Sequence, residues 1–419
     1  MRTSKNKAKD ERSHSEARKR LSSIQGLPPT YKRPRQSTET ETETEISNST
    51  KKPSNLLASP YGRCPNVSER YKKVSRIGEG TYGIVYKAID KEASTNDSQQ
   101  VVALKRCLPH FEASDGFPIT TLREIQILRE ISLDGGHENI VLLKEVAVGS
   151  NCSSVFLVFE YLHFDLAKLV DEHYGKYSKS PFTLAQTKCL SKQLLSALMH
   201  LHGKCIIHRD LKLSNLLYDK DRGLLKLADF GLARKMEGVY EGERAGLPSF
   251  LPSARPDMDL TPRVVSLWYR PPELLLSATT YSMAIDQWAA GCVIAELILG
   301  KPIFRGKNDL DQIGKIVEVL GSPSVQDWPD LLDMPLVKSG TAELPFGVAR
   351  DEVRSHQAKG TLMDIFTDLS PSGFEVFENL LTYNPKRRWS AKETHDCAWL
   401  DEHPHAVKRE FMPKFDNKL

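Results

Sequence analysis

Two short polar stretches, each framed by apolar residues, constrain this chain more than anything else in it. The first is Ile206-Ile207-His208-Arg209-Asp210-Leu211-Lys212-Leu213-Ser214-Asn215-Leu216-Leu217, and the second is Leu227-Ala228-Asp229-Phe230-Gly231-Leu232-Ala233-Arg234. The apolar flanks read as strands, so the charged residues between them lie on loops held against a core. An Asp, an Asn five residues on and a second Asp before Phe-Gly suit phosphoryl transfer: a carboxylate to accept a hydroxyl proton, and oxygen ligands for Mg2+.

Upstream, Gly78-Glu79-Gly80-Thr81-Tyr82-Gly83, followed by Ile84-Val85, places three glycines between two strands. Without Cβ atoms there, backbone amides can approach a polyphosphate. Glycines in a hairpin also arise for turn reasons, so this loop alone leaves both readings open. A dinucleotide-binding fold needs a helix directly after the glycines, and a strand follows instead. Lys105 ends the strand Val101-Val102-Ala103-Leu104-Lys105, and Glu124 lies on the next helix, where Leu122, Ile125, Leu128 and Ile131 recur at helical spacing. A buried lysine needs an acidic partner, and such a pair can hold an ammonium against phosphate oxygens. Taken alone, these two residues also fit an unrelated surface lysine and glutamate. Val155 to Glu160 reads as a further strand, and beyond Phe182 most periodic segments are helical. The pattern predicts a small β-rich lobe joined to a larger α-rich lobe.

In this order, the motifs of residues 71–403 resemble a complete protein-kinase domain, and Lys212 between Asp210 and Asn215 resembles the serine/threonine rather than the tyrosine kinases. The resemblance implies the α+β, two-lobed kinase fold, with an N-lobe over 71–161 and a C-lobe over 162–403. It implies ATP and Mg2+, with Asp210 as catalytic base, Lys212 on the transferred phosphate, and Asn215 and Asp229 holding the metal. Lys105, paired with Glu124, would anchor the α- and β-phosphates. Ile77, Gly78, Glu79, Gly80, Thr81, Tyr82, Gly83, Val85, Ala103 and Leu217 would line the ATP site. The backbone of Glu160 and Leu162 would bind adenine beside Phe159, and Asp165 would face the ribose.

Pro118-Ile119-Thr120-Thr121-Leu122-Arg123-Glu124 is similar to the cyclin-binding helix of cyclin-dependent kinases, nearest to the PITSLRE-type group. Val264-Val265-Ser266-Leu267-Trp268-Tyr269-Arg270 and the apolar helix opened by Asp286-Gln287-Trp288 support that likeness. It implies a cyclin-type subunit, Ser/Thr-Pro protein substrates, and an upstream kinase acting on Thr261. The phosphate there would be clamped by Arg123, Arg209 and Arg234, and Thr81 and Tyr82 would be inhibitory phosphosites. Two departures stand out. Pro271-Pro272-Glu273 replaces the usual Ala-Pro-Glu yet keeps a glutamate able to pair with Arg388. Arg234 and Thr261 are separated by a long Gly/Pro-containing segment whose composition predicts a mobile loop. A mitogen-activated-type kinase is the alternative enzyme, but no Thr-x-Tyr precedes Val264. A pseudokinase scaffold would lack a Lys, Asp or Asn that is present here.

A chain of 419 residues accommodates two lobes and tails. Residues 1–66 are polar and predict a disordered tail, with residues 404–419 a second tail. Residues 1–65 hold 14 Lys/Arg against 7 Asp/Glu, so attraction for nucleic acid or acidic partners resides there. Arg18-Lys19-Arg20 and Lys32-Arg33-Pro34-Arg35 suit nuclear import, a weak nucleic-acid contact or simply a solvated tail. Nuclear import makes the nucleus the expected location, with the cytoplasm as a second. Seven scattered cysteines without a Cys-x-x-Cys pair point to free thiols in a reducing compartment. No secretory h-region and no run of about 18 apolar residues occurs, so no membrane span is expected.

Overall fold

The computed structural model describes residues 64–80, 83–93, 100–107, 118–149, 154–236, 265–340, 344–345 and 359–416. The basic stretches before residue 64, the predicted mobile loop, Thr261 and the Thr81-Tyr82 pair lie outside them.

Five antiparallel strands build the N-lobe: β1 (Tyr71–Gly80), β2 (Gly83–Asp90), β3 (Val101–Cys107), β4 (Leu143–Val148) and β5 (Val155–Glu160), in the order β1-β2-β3-β5-β4. The period of two gives this sheet two jobs. Val102, Leu104, Phe156 and Val158 point to one face and form a small core with Val67, Tyr71, Ala88 and Ala147. Ala103 and Lys105 therefore face the other side, where Leu157 and Phe159 join the large core of the molecule. Register aligns Val85 with Lys105 and Gly78 with Val85, so the glycine hairpin overhangs the lysine.

Helix α1 (Ile119–Leu133) crosses behind the sheet. Its expected stripe holds for Leu128, Ile131 and half-buried Ile125 and is corrected at Leu122. Thr121, Glu124, Ile127, Leu128 and Ile131 are buried, whereas Leu122 is 52% and Ile119 69% exposed. Glu124 has to face Lys105, and at 3.6 residues per turn that requirement rotates Leu122 outward.

The C-lobe is helical. After β6 (Phe164–Asp165), α2 (Leu166–Tyr177) is N-capped by Asp165, and α3 (Leu184–Gly203) begins with a Thr183/Gln186 capping box. Then come β7 (Ile206–Ile207), β8 (Leu216–Asp219), β9 (Leu224–Leu227) and β10 (Arg234–Lys235). β6, β8 and β9 form one small sheet, and β7 pairs with β10. Helix α4 (Ala284–Leu299) is buried on nearly every side, which its unbroken apolar run requires, and stops at Gly300 in the left-handed region.

Two ends of the fold differ from the sequence reading. The N-lobe begins before Tyr71: Val148 N donates to Pro65 O at 2.9 Å, and a short helix, Val67–Arg70, is capped by Asn66. Residues 404–416 are packed rather than a tail. Phe415 meets the rings of Phe164, Phe182 and Tyr218, Met412 is buried, and Tyr218 Oη donates to Pro413 O at 2.9 Å. Aromatic burial at the chain's end outweighs its polar composition. Cys64, Cys107, Cys189, Cys205, Cys292 and Cys397 are free thiols, and no helix among the described residues is long and apolar enough to cross a membrane.

The Glu273–Arg388 pair forms as expected. Arg388 Nη1 and Nη2 donate to Glu273 Oε1 and Oε2, each at 2.6 Å, with both residues buried. Glu273→Ala strands the guanidinium in the core and should cost about 3–5 kcal/mol in a urea titration. A loss below about 1 kcal/mol would show the pair to be dispensable.

Candidate active site

The cleft between the lobes collects the polar residues of both sequence motifs. From β3, Lys105 Nζ donates to Glu124 Oε1 and Oε2 at 2.9 and 2.8 Å and to Asp229 Oδ1 at 3.1 Å. Burial works against the ammonium's charge, but Glu124 and then Asp229 outweigh it and push Lys105 above its ordinary value. Burial likewise opposes ionised Asp229, yet Lys105 holds it below the usual carboxylate range. One glycine of the overhanging hairpin is sterically required: a Cβ on Gly83 would meet Arg106 O at 2.2 Å. Gly78 has only ordinary van der Waals neighbours.

The catalytic loop leaves β7 and turns sharply at Arg209, whose φ is +66°. Asp210 is surrounded by donors. Lys212 Nζ lies 2.7 Å from Oδ2, Asn215 Nδ2 donates to the backbone carbonyl at 2.8 Å and to Oδ2 at 3.2 Å, and Ser266 Oγ donates to Oδ1 at 3.0 Å. Lys212 also reaches Ser266 Oγ at 3.1 Å. Such a carboxylate is held in one orientation, as a proton acceptor must be. With its amide nitrogen committed to Asp210, Asn215 offers its oxygen, and Asp229 offers a second carboxylate oxygen beside the one facing Lys105. Two oxygen donors of this kind fit Mg2+, which would supply charge neutralisation at phosphate oxygens.

At the back of the cleft, Glu160 N donates to Leu142 O at 3.2 Å, so only the carbonyl of Glu160 can serve adenine. Its side chain has another task, pairing with Lys226 Nζ at 2.8 Å and accepting from Leu142 N at 2.8 Å. Leu162 and Leu217 are half-buried, and Leu217 pairs with Asp165 across β8 and β6. Asp165 Oδ1 caps α2, and Oδ2 lies 3.5 Å from Lys168. Ile77 and Val85 occupy the hairpin, Val85 half-buried.

Arg123, Arg209 and Arg234 come together beneath α1. Burial, then repulsion from Arg234 and Arg209, lowers Arg123 below its ordinary value. A buried Nη1 of Arg234 has no hydrogen-bond partner among the described residues. Sequence reasoning missed the polar residues Tyr281, Lys226 and Glu296, and saw His208 and Asp286 only within motifs, without the bonds that join them. Ser266 was visible only as part of a motif, without its bond to Asp210. His163, Asp219 and Asp221 cluster within 4.8 Å, each imidazole nitrogen facing one carboxylate, at 3.4 and 3.3 Å.

Residues 71–400 match the family model described as protein kinase domain. The chain belongs to the protein kinase family. This kinase is 41% identical over 345 residues to the probable cyclin-dependent kinase 10 of Dictyostelium discoideum, covering 82% of each chain. It is also 41% identical over 354 residues to cyclin-dependent kinase 10 of Homo sapiens, covering 84% of this chain and 86% of that one. Cyclin-dependent kinase G-2 of Oryza sativa is 39% identical, and the kinase spans 44% of its length. The crystal structure of the yeast RNA Pol II CTD kinase CTDK-1 complex aligns with TM-score 0.64 and 33% identity, over 85% of this chain and 99% of that one. Among protein kinases it falls with the cyclin-dependent kinases and is a serine/threonine kinase.

Two outcomes follow from the site. Asp210→Asn, Lys105→Met and Asp229→Asn should each lower kcat about 10³-fold or more while leaving the protein folded, since positioning and electrostatics carry this chemistry. Near-normal turnover in any of the three contradicts the geometry. The second concerns pH. Tyr269 Oη donates to Glu296 Oε2 at 2.6 Å, and burial lifts Glu296 from 4.5 to about 7. A carboxyl raised by folding stabilises at low pH, and that contribution is lost as pH climbs from the unfolded value through about 7. Glu296→Gln, which keeps an acceptor for Tyr269, should therefore gain in melting temperature relative to wild type as pH rises across that window.

Proposed function

We propose that this kinase transfers phosphate from Mg2+-ATP to Ser or Thr residues followed by proline, under control of a cyclin-type subunit. The observation that carries the proline preference is Val265. This β-branched residue sits at φ +71°, a conformation that costs energy, and its carbonyl accepts from Arg270 Nη2 at 2.8 Å and Nε at 3.2 Å. Arg270 is itself held by Asp309 at 2.6 Å. With that carbonyl turned to the arginine, a peptide N–H arriving beside Ser266 loses its acceptor. Proline has no N–H to leave unpaired.

In this reading Asp210 accepts the proton of the attacking hydroxyl, Lys212 contacts the transferred phosphate, and Lys105 anchors the phosphates of ATP. Asn215 and Asp229 hold Mg2+, and the carbonyl of Glu160 and the backbone of Leu162 hold adenine. The cyclin-type subunit would cover the exposed Ile119 and Leu122 and, through α1, bear on Glu124 and the Lys105 pair. An upstream kinase would phosphorylate Thr261, and its dianion would bind Arg123, Arg209 and Arg234, which repel one another without it. Phosphates on Thr81 or Tyr82 would inhibit by repelling the triphosphate. A nuclear role in cell-cycle or transcription control accords with the basic stretches before residue 64, which also suit a weak nucleic-acid contact, and with the yeast relative's name.

The test is an oriented peptide library phosphorylated by the complex purified from native cells through a tagged full-length chain. Proline should be enriched directly after the acceptor, and Arg270→Ala should weaken that selectivity about ten-fold, the scale of one unpaired N–H. A profile without proline enrichment rejects the reading.

A further inference from the structure

Arg209 is gripped at both ends by one short stretch of chain. Its amide donates to Asp286 Oδ1 at 2.9 Å, and its guanidinium Nη1 donates to the Tyr281 hydroxyl at 2.5 Å. Between these, its Nε–H donates to Leu232 O at 2.6 Å. The residue is buried and its backbone lies in the left-handed region, which a non-glycine residue keeps only where its surroundings hold it there. Asp286 fixes the backbone end. The phenol fixes the other, from five residues before Asp286 in the same approach to α4.

The chemistry of that second anchor matters. Tyr281 also acts on Arg123, so the phenol lies among the clustered guanidinium groups. Among the described residues, no carboxylate forms an ion pair with Arg123, Arg209 or Arg234. A phenolic oxygen accepts a charge-assisted hydrogen bond yet brings no negative charge of its own. A carboxylate at this place would orient Arg209 equally well and cancel the charge.

We propose that Tyr281 is a positioning residue for Arg209. Its hydroxyl holds the guanidinium so that the backbone leading into Asp210 keeps its turn, while the charge stays available to an anion. The second half of this statement rests on the proposed Thr261 clamp; the first half does not.

The test is a double-mutant cycle in the tagged full-length chain, purified as its native complex: Tyr281→Phe, Arg209→Ala and both together. It is read in kcat, in KM for ATP and in melting temperature. Tyr281→Phe should lower kcat about ten-fold, the scale of one hydrogen bond to a charged group, with KM for ATP and melting temperature unchanged. It should add nothing to the loss in Arg209→Ala. Wild-type kcat in Tyr281→Phe, a loss that multiplies with that of Arg209→Ala, or a loss accompanied by weaker ATP binding and a lower melting temperature overturns the proposal. Repeating the cycle in a Thr261→Ala background separates the two readings. Full activity of Thr261→Ala alone rejects the clamp, whereas the Tyr281–Arg209 coupling in that background stands or falls on the cycle itself.

Discussion

The catalytic loop of this kinase hangs on a carboxylate almost fully removed from water. Asp286 Oδ2 accepts the amide of His208 at 2.8 Å, Oδ1 accepts that of Arg209 at 2.9 Å, and His202 Nε2 lies 3.1 Å from Oδ2. Burial opposes its charge, but the hydrogen bond from His202 and the charges and amide nearby outweigh that cost and hold it below the usual carboxylate range. Asp286 itself is immobile because α4 is enclosed by the core, with Trp288 stacked on Phe304 at 5.8 Å. The rigidity of the largest hydrophobic core is thereby passed to two amides immediately before Asp210.

The N-lobe solves a different problem. Lys105 must stay charged beside phosphate, yet it stands on a strand whose other face lines a core. Alternation along β3 separates the two demands, and Glu124 completes the arrangement from the same buried face by which its helix packs. Because α1 turns Glu124 inward, it turns Leu122 outward. An apolar surface is thus exposed on the element that carries the lysine's partner, which is the geometry a regulatory subunit would exploit.

Much of this was legible in the sequence. The β-rich then α-rich order, the glycine hairpin, Lys105, Glu124, Asp210, Asn215 and Asp229 all carry local signals: periodicity of two or 3.6, or residue types at fixed short spacing. The rotation of α1 was not legible, because Leu122, Ile125, Leu128 and Ile131 fit a helical stripe as well as the face actually buried. Nor was the packing of residues 404–416, where a polar, histidine-containing segment conceals the aromatic anchor Phe415. Glu160 was read for its backbone, and nothing local announces that its side chain meets Lys226.

By itself, then, the sequence determined the kind of chemistry and the order of the lobes, since short-range spacing fixes which groups share a loop or a strand. Only the tertiary structure decided how those groups are held. Ser266 reaches Asp210 across 56 residues, Tyr281 reaches Arg209 across 72, and Asp286 reaches the same arginine across 77. Contacts at such separations leave no periodic trace in a chain. They exist because the large core brings α4, the catalytic loop and the segment after Val265 to one place, where buried polar groups have to find partners in each other rather than in water.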